Sequence, residues 1–114
     1  MIRCAFKPSP PAARLGEHLP FDARGVAEAP ASPGVYLLYR GHRLIYIGLA
    51  AAGATIRQSL QRHLNGEGGP CTHAATEFDY ETSGDAPLLY RHYLAVYLGA
   101  TGGLLPDCNS LDDR

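Results

Sequence analysis

Gly34-Val35-Tyr36-Leu37-Leu38-Tyr39-Arg40, then Gly41-His42, then Arg43-Leu44-Ile45-Tyr46-Ile47-Gly48 is the stretch from which the fold is read. Two runs of β-branched, aromatic and aliphatic residues flank a short turn containing glycine, the pattern of a β-hairpin. Beyond it, Ala50 to Ala54 is a small-residue loop. Thr55 can then cap a helix whose Ile56, Leu60 and Leu64 recur at four-residue spacing until Asn65-Gly66 stops it. Residues 65–74 are glycine-rich and read as loop. Over 75–82, Thr76, Phe78, Tyr80 and Thr82 alternate with Glu77, Asp79 and Glu81, which predicts a third strand with one wet face. Asp85 or Pro87 opens a helix to about Leu98, with Leu89, Tyr93, Leu94 and Tyr97 on its buried side. The stretch from Gly102 to Asn109 returns to irregular chain. The order β-β-α-β-α predicts a small α+β domain, a three-stranded and mainly antiparallel sheet with flanking helices.

Upstream of the hairpin, six of the nine prolines fall within residues 1–33, where each fixes φ and removes a backbone donor. That segment reads as a proline-rich N-terminal arm with scarce regular structure, residues 34–110 as the domain, and 111–114 as a tail. The length of 114 residues suits a single core. With 46% hydrophobic and 18% charged residues, the chain is too apolar for a disordered tail. Its apolar runs fall short of the roughly 20 residues that cross a bilayer, so no membrane role is read. Nothing at the N-terminus resembles a secretory leader. Cys4, Cys71 and Cys108 contain no C-x-x-C pair and leave one thiol over, so free thiols and a cytoplasmic location are the expectation. Cys71 and His73, even joined by His92 and Cys108, match no zinc spacing, and no metal ligand is assigned.

The formal charge of −1 hides a split. Residues 34–64 carry Arg40, Arg43, Arg57 and Arg62 with no acid, +4, whereas residues 65–114 sum to −6. A phosphate partner would meet the first stretch, where guanidinium groups grip phosphate oxygens bidentately. The same arginines also suit a solvated helix face and hairpin rim. Tyr36 and Tyr46, with nine residues between them, lie near one another if the hairpin closes at Gly41-His42, and His63 on the next helix can join them. Phenols, an imidazole and arginines are the donors and proton acceptors that phosphodiester cleavage uses. Each tyrosine taken alone is also simply a good strand residue.

Gly34-Val35-Tyr36 and Tyr46-Ile47-Gly48, followed by the Thr55–Leu64 helix, the helix ending Tyr93-Leu94-Ala95-Val96-Tyr97 and the terminal Asn109, resemble the GIY-YIG nuclease domain over residues 33–110. The resemblance implies DNA phosphodiester hydrolysis with one divalent cation, Mg or Mn. Tyrosines would position or deprotonate water, and a histidine would assist. Tyr36, Tyr46, His63 and Asn109 match the family's site. Its helix arginine, four residues before the histidine, is here Ser59, and its metal-binding glutamate is here Tyr90. At about 100° per residue Ser59 and His63 differ by about 40° on the helix, Arg57 and His63 by about 120°. Arg57 and Arg62 are the candidate substitutes, with Arg40 and Arg43 as further phosphate contacts. Two functions follow: a metal-dependent DNA nuclease, or a degenerate GIY-YIG domain that binds nucleic acid or protein without cutting. The oligomeric state is left open.

Overall fold

The computed structural model describes residues 18–51 and 53–112, with side chains described as far as Asn109. Residues 1–17 of the arm, Cys4 among them, and 113–114 of the tail lie outside the described residues. In chain order the elements are β1 (Leu19–Pro20), α1 (Ala23–Ala27), β2 (Gly34–Arg40), β3 (Arg43–Ala50) and α2 (Ile56–Leu64). They continue with α3 (Pro70–His73), β4 (Glu77–Thr82), α4 (Ala86–Thr101) and α5 (Asp107–Asp112). The protein is a small α+β domain whose sheet is antiparallel.

Gly41 turns the hairpin with φ +66°, a conformation open to glycine at little steric cost. The strands pair from Arg40 with Arg43 to Gly34 with Ala50. The register shifts between Leu38, opposite Tyr46, and Tyr39, opposite Leu44, leaving Ile45 as the extra residue of a bulge. The alternation of β3 is thereby reset. Ile45 and Tyr46 both meet the cluster of Tyr36, Leu38, Ile56 and Leu60, while Leu44 and Ile47 meet the cluster of Val35, Leu37, Tyr39 and Tyr93. The first cluster is covered by α1 and α2. The second, on the other face of the sheet, is covered by α4 through Leu89, Tyr90, Leu94 and Tyr97.

Among the described residues the sheet has four strands in the order β1-β4-β2-β3, not the three expected. The addition comes from the proline-rich segment: Leu19 and Pro20 pair with Phe78 and Glu77. Asp22 then caps α1, its carboxylate accepting from Gly25 N at 2.8 Å. Phe21, Val26 and Ala29 are buried in the first cluster. Proline spacing masked these elements because both are short and their apolar residues too few to set a period. The edge strand also corrects the wet face expected of β4. That strand is paired on both sides, and Asp79 is 1% exposed, its Oδ2 3.5 Å from His18 Nδ1. Glu81 accepts a 2.7 Å hydrogen bond from the Tyr93 hydroxyl. Helix α4 packs on β2 and β3 and reaches β4 through the Tyr93 hydroxyl, while His18 lies beside the buried Asp79; Glu77 and Glu81 stay partly exposed.

Two short helices replace expected irregular chain. Pro70 opens α3, and α5 carries Cys108 and Asn109. The expectation of free thiols is overturned, since Cys71 and Cys108 form a disulfide of 2.03 Å that ties α3 to α5. Those sulfurs are therefore bonded to each other rather than poised for a metal. Among the described residues no group of three or more His, Cys, Asp or Glu is arranged to hold a metal ion. Free thiols had supported a cytoplasmic location, and that support is gone, because structural disulfides belong mainly to oxidising compartments. No helix among the described residues is long and apolar enough to cross a membrane.

Candidate active-site cleft

Helix α2 begins where the Thr55 hydroxyl accepts from Gln58 N at 3.0 Å. Its inward stripe is Ile56, Leu60 and His63, so the two-turn spacing that buries the aliphatic residues also carries the imidazole to the sheet. Tyr36 points to the same side from β2. A side chain on the facing Gly48 would overlap the Tyr36 ring, and the glycine makes room for it. Gly34 has a similar reason, since a β-carbon there would collide with the carbonyl of Glu81 on β4. Both motif glycines are thus places of close approach.

The three rings meet. Tyr36 and Tyr46 have centroids 6.0 Å apart, Tyr36 and His63 5.6 Å, and Tyr46 and His63 5.1 Å. The Tyr36 hydroxyl is 2.9 Å from His63 Nε2, and His63 Nδ1 is 2.8 Å from Thr72 Oγ1. Tyr36, His63 and Thr72 are all buried, and Gly68 closes against His63 Nδ1 and Thr72 Oγ1, where a β-carbon would not fit. Tyr36, Tyr46 and His63 border an open cleft of about 340 Å³, with Ser59, Arg62 and Glu67 along its wall.

Of the four arginines read as phosphate contacts, only Arg62 lines this cleft. Arg57 donates from Nε to the Ala29 carbonyl at 2.8 Å, which anchors α2 to the chain before β2. Arg43 grips Asp107 at 2.9 and 3.0 Å, joining β3 to α5 and holding the Asp107 carboxyl below its usual range. Arg40 is exposed at the hairpin end, four residues from Tyr36 and therefore about 13 Å along the strand. Asn109 lies next to the cleft without lining it. Its Oδ1 accepts from Ile47 N at 2.8 Å and its Nδ2 donates to Ile47 O at 3.0 Å, bracing the outer edge of β3 one residue from Tyr46.

Tyr90, where the resemblance would place a metal-binding glutamate, packs in the α4 cluster on the opposite face of the sheet. A phenol would be a poor ligand for a hard cation in any case. The carboxylate that does line the cleft is Glu67, which sequence reasoning did not single out. Its Oε1 is 3.9 Å from Arg62 Nε, and both side chains are more than half exposed, so the pair is weak and free to separate. Mg²⁺ in phosphate sites takes one or two carboxylates together with phosphate oxygens and water. Glu67 meets the lower limit of that requirement and is the residue that would hold the ion. Thr72 was also missed, hidden in the glycine-rich stretch. Glycine followed by proline at Gly69-Pro70 is the signal that could have placed a helix start there.

No protein-family model matches the sequence, and no curated protein matches it.

Proposed function

We propose that this protein is a GIY-YIG-type nuclease domain that binds a DNA backbone at the Tyr36–Tyr46–His63 cleft and hydrolyses a phosphodiester there with a divalent cation, Mg or Mn. The observation that carries the reading is the meeting of both motif tyrosines with His63 in one open cleft beside a guanidinium. Arg62 holds a non-bridging phosphate oxygen by charge-assisted hydrogen bonds. Tyr36 and His63 take the proton of the attacking water, and the Tyr46 hydroxyl orients water or phosphate by a hydrogen bond. Water adds to phosphorus as the bond to the leaving oxygen breaks, and that oxygen is protonated as it departs. Glu67 would hold the cation, whose contribution would be Lewis-acid stabilisation of phosphate charge.

The test is incubation of the purified protein with Mn²⁺ or Mg²⁺ and single-stranded, duplex or branched DNA. Cutting in the wild type, reduced about 10²-fold or more in Tyr46→Phe and Glu67→Gln, is the expected result, since one preorganised group is commonly worth 10²–10³. Equal cutting by Tyr46→Phe and the wild type contradicts the reading.

Two observations favour a second reading, a domain that grips nucleic acid without cutting. Ser59 stands where the family has its arginine, and Tyr90 faces away from the cleft. Salt-sensitive DNA binding with no metal-dependent cutting selects this second reading.

A further inference from the structure

Thr72 has no counterpart among the motif residues, yet its Oγ1 is 2.8 Å from His63 Nδ1, while the other ring nitrogen is 2.9 Å from the Tyr36 hydroxyl. Thr72 is 2% exposed, Tyr36 3% and His63 8%, so the chain of three groups is shielded from bulk water. Shielded polar atoms must satisfy one another. A neutral imidazole carries one N–H, and two arrangements are open to it: Nδ1–H donating to Thr72, or Nε2–H donating to Tyr36. The relative acidities decide between them. A phenol, with pKa about 10, is a far better acid than an alcohol or an imidazole N–H, and so is the stronger donor toward a bare ring nitrogen. Tyr36 therefore donates to Nε2, and Nδ1–H donates to Thr72.

We propose that Thr72 is a positioning residue that holds His63 in its Nδ1–H tautomer, making Thr72, His63 and Tyr36 a proton relay that opens onto the cleft. The surrounding structure holds Thr72 in place. Ala75 N donates to its carbonyl at 3.1 Å, and the neighbouring Cys71 is bonded to Cys108 on α5. Gly68 packs against both Nδ1 and Oγ1, where a β-carbon would not fit, so the backbone closes over the pair.

Use of the relay in hydrolysis rests on the function proposed above; the tautomer does not. In use, the water O–H bond breaks and its proton forms a bond to the Tyr36 oxygen, as the proton already on that oxygen passes to Nε2. The imidazolium so formed donates from Nδ1 to Thr72 and from Nε2 to Tyr36. After hydrolysis the proton returns by the same route to the departing oxygen or to solvent, and His63 is neutral again.

The experiment is NMR of ¹⁵N-histidine-labelled protein, which reports protonation of each ring nitrogen without any DNA present. Wild type is expected to show Nδ1 protonated and Nε2 bare at His63. In Thr72→Val the Nδ1–H partner is lost, and the population should move toward Nε2–H, with Thr72→Ser restoring the wild-type pattern. Backbone amide spectra and thermal unfolding of Thr72→Val establish that it is folded. If that variant does not fold, the wild-type tautomer and Thr72→Ser still decide the matter. Where cutting is measured, kcat in Thr72→Val should fall about 10-fold or more with KM for DNA unchanged, the pattern of lost proton transfer rather than lost binding. A wild-type His63 protonated on Nε2, or an unaltered tautomer in folded Thr72→Val, overturns the proposal. If no form cuts DNA but the tautomer behaves as stated, it is the nuclease reading that fails.

Discussion

A methyl group at position 48 would press into the Tyr36 ring, so the glycine that ends Tyr46-Ile47-Gly48 is set by a tyrosine on the neighbouring strand. Gly48→Ala is expected to lower stability by about 1–3 kcal/mol, the usual cost of overpacking a full core, and to swing Tyr36 off His63. Urea unfolding measures the first effect, and loss of DNA binding or cutting the second. Tyr36, Tyr46 and His63 were legible in the sequence because two short motifs and one helical spacing name them. Thr72 and Glu67 were not, since neither belongs to a periodic element; Glu67 reaches the cleft, and Thr72 reaches His63, only through loop closure around Gly66 to Gly69. Among the arginines, charge counting picks out a segment but cannot tell Arg62, which lines the cleft, from Arg57, whose guanidinium is held by Ala29.

Helix α5 is only six residues long, yet its Asn109 pairs both polar backbone atoms of Ile47 on β3, an edge strand of the sheet. Asn109→Ala would leave a buried N–H and carbonyl without those partners, and should cost about 1–3 kcal/mol in denaturant unfolding. The variant should also loosen Tyr46, one residue away, seen as faster amide exchange along β3. On the other face of the sheet, burial first and the hydrogen bond to Glu81 second push the Tyr93 phenol well above its ordinary pKa. The fold thus holds the neutral phenol. The stability this contributes is whole below pH about 10, where an unfolded tyrosine ionises, and is lost as pH rises beyond that. Thermal unfolding should show wild type losing stability more steeply above pH 10 than Tyr93→Phe; parallel alkaline limbs would contradict this. The hairpin, α2, β4 and α4 were readable because each is long enough to show its period. Helices of four to six residues cover less than two turns, and a strand of two residues shows no alternation, which is why β1, α1, α3 and α5 went unseen. The polar face of β4 misled because alternation reports which residues share a face, not what covers it.

Across the whole molecule, the Cys71–Cys108 bridge closes a loop of 37 residues and fastens α3, which carries Thr72, to α5, which carries Asn109. Restricting the unfolded chain in this way is worth about 2–4 kcal/mol, so Cys108→Ser or reduction by a dithiol should lower unfolding stability by that amount. An unchanged denaturation midpoint would show that the bridge contributes nothing. Cysteine spacing could not reveal the pair, because the two residues meet only once α3 and α5, which lie before and after β4 in the chain, have packed against each other. The charge split was legible, and the acid-free stretch does carry the walls from which Tyr36, Tyr46, Arg62 and His63 face one another. That this cleft grips a phosphodiester backbone, as proposed, is decided by an NMR titration with short DNA at increasing salt. Perturbations gathered at Tyr36, Tyr46, Arg62, His63 and Gly68, weakening as salt rises and with a shallower salt dependence in Arg62→Gln, are the result predicted. Perturbations confined to the Arg40–Arg43 turn, or none with any form of DNA, would contradict it.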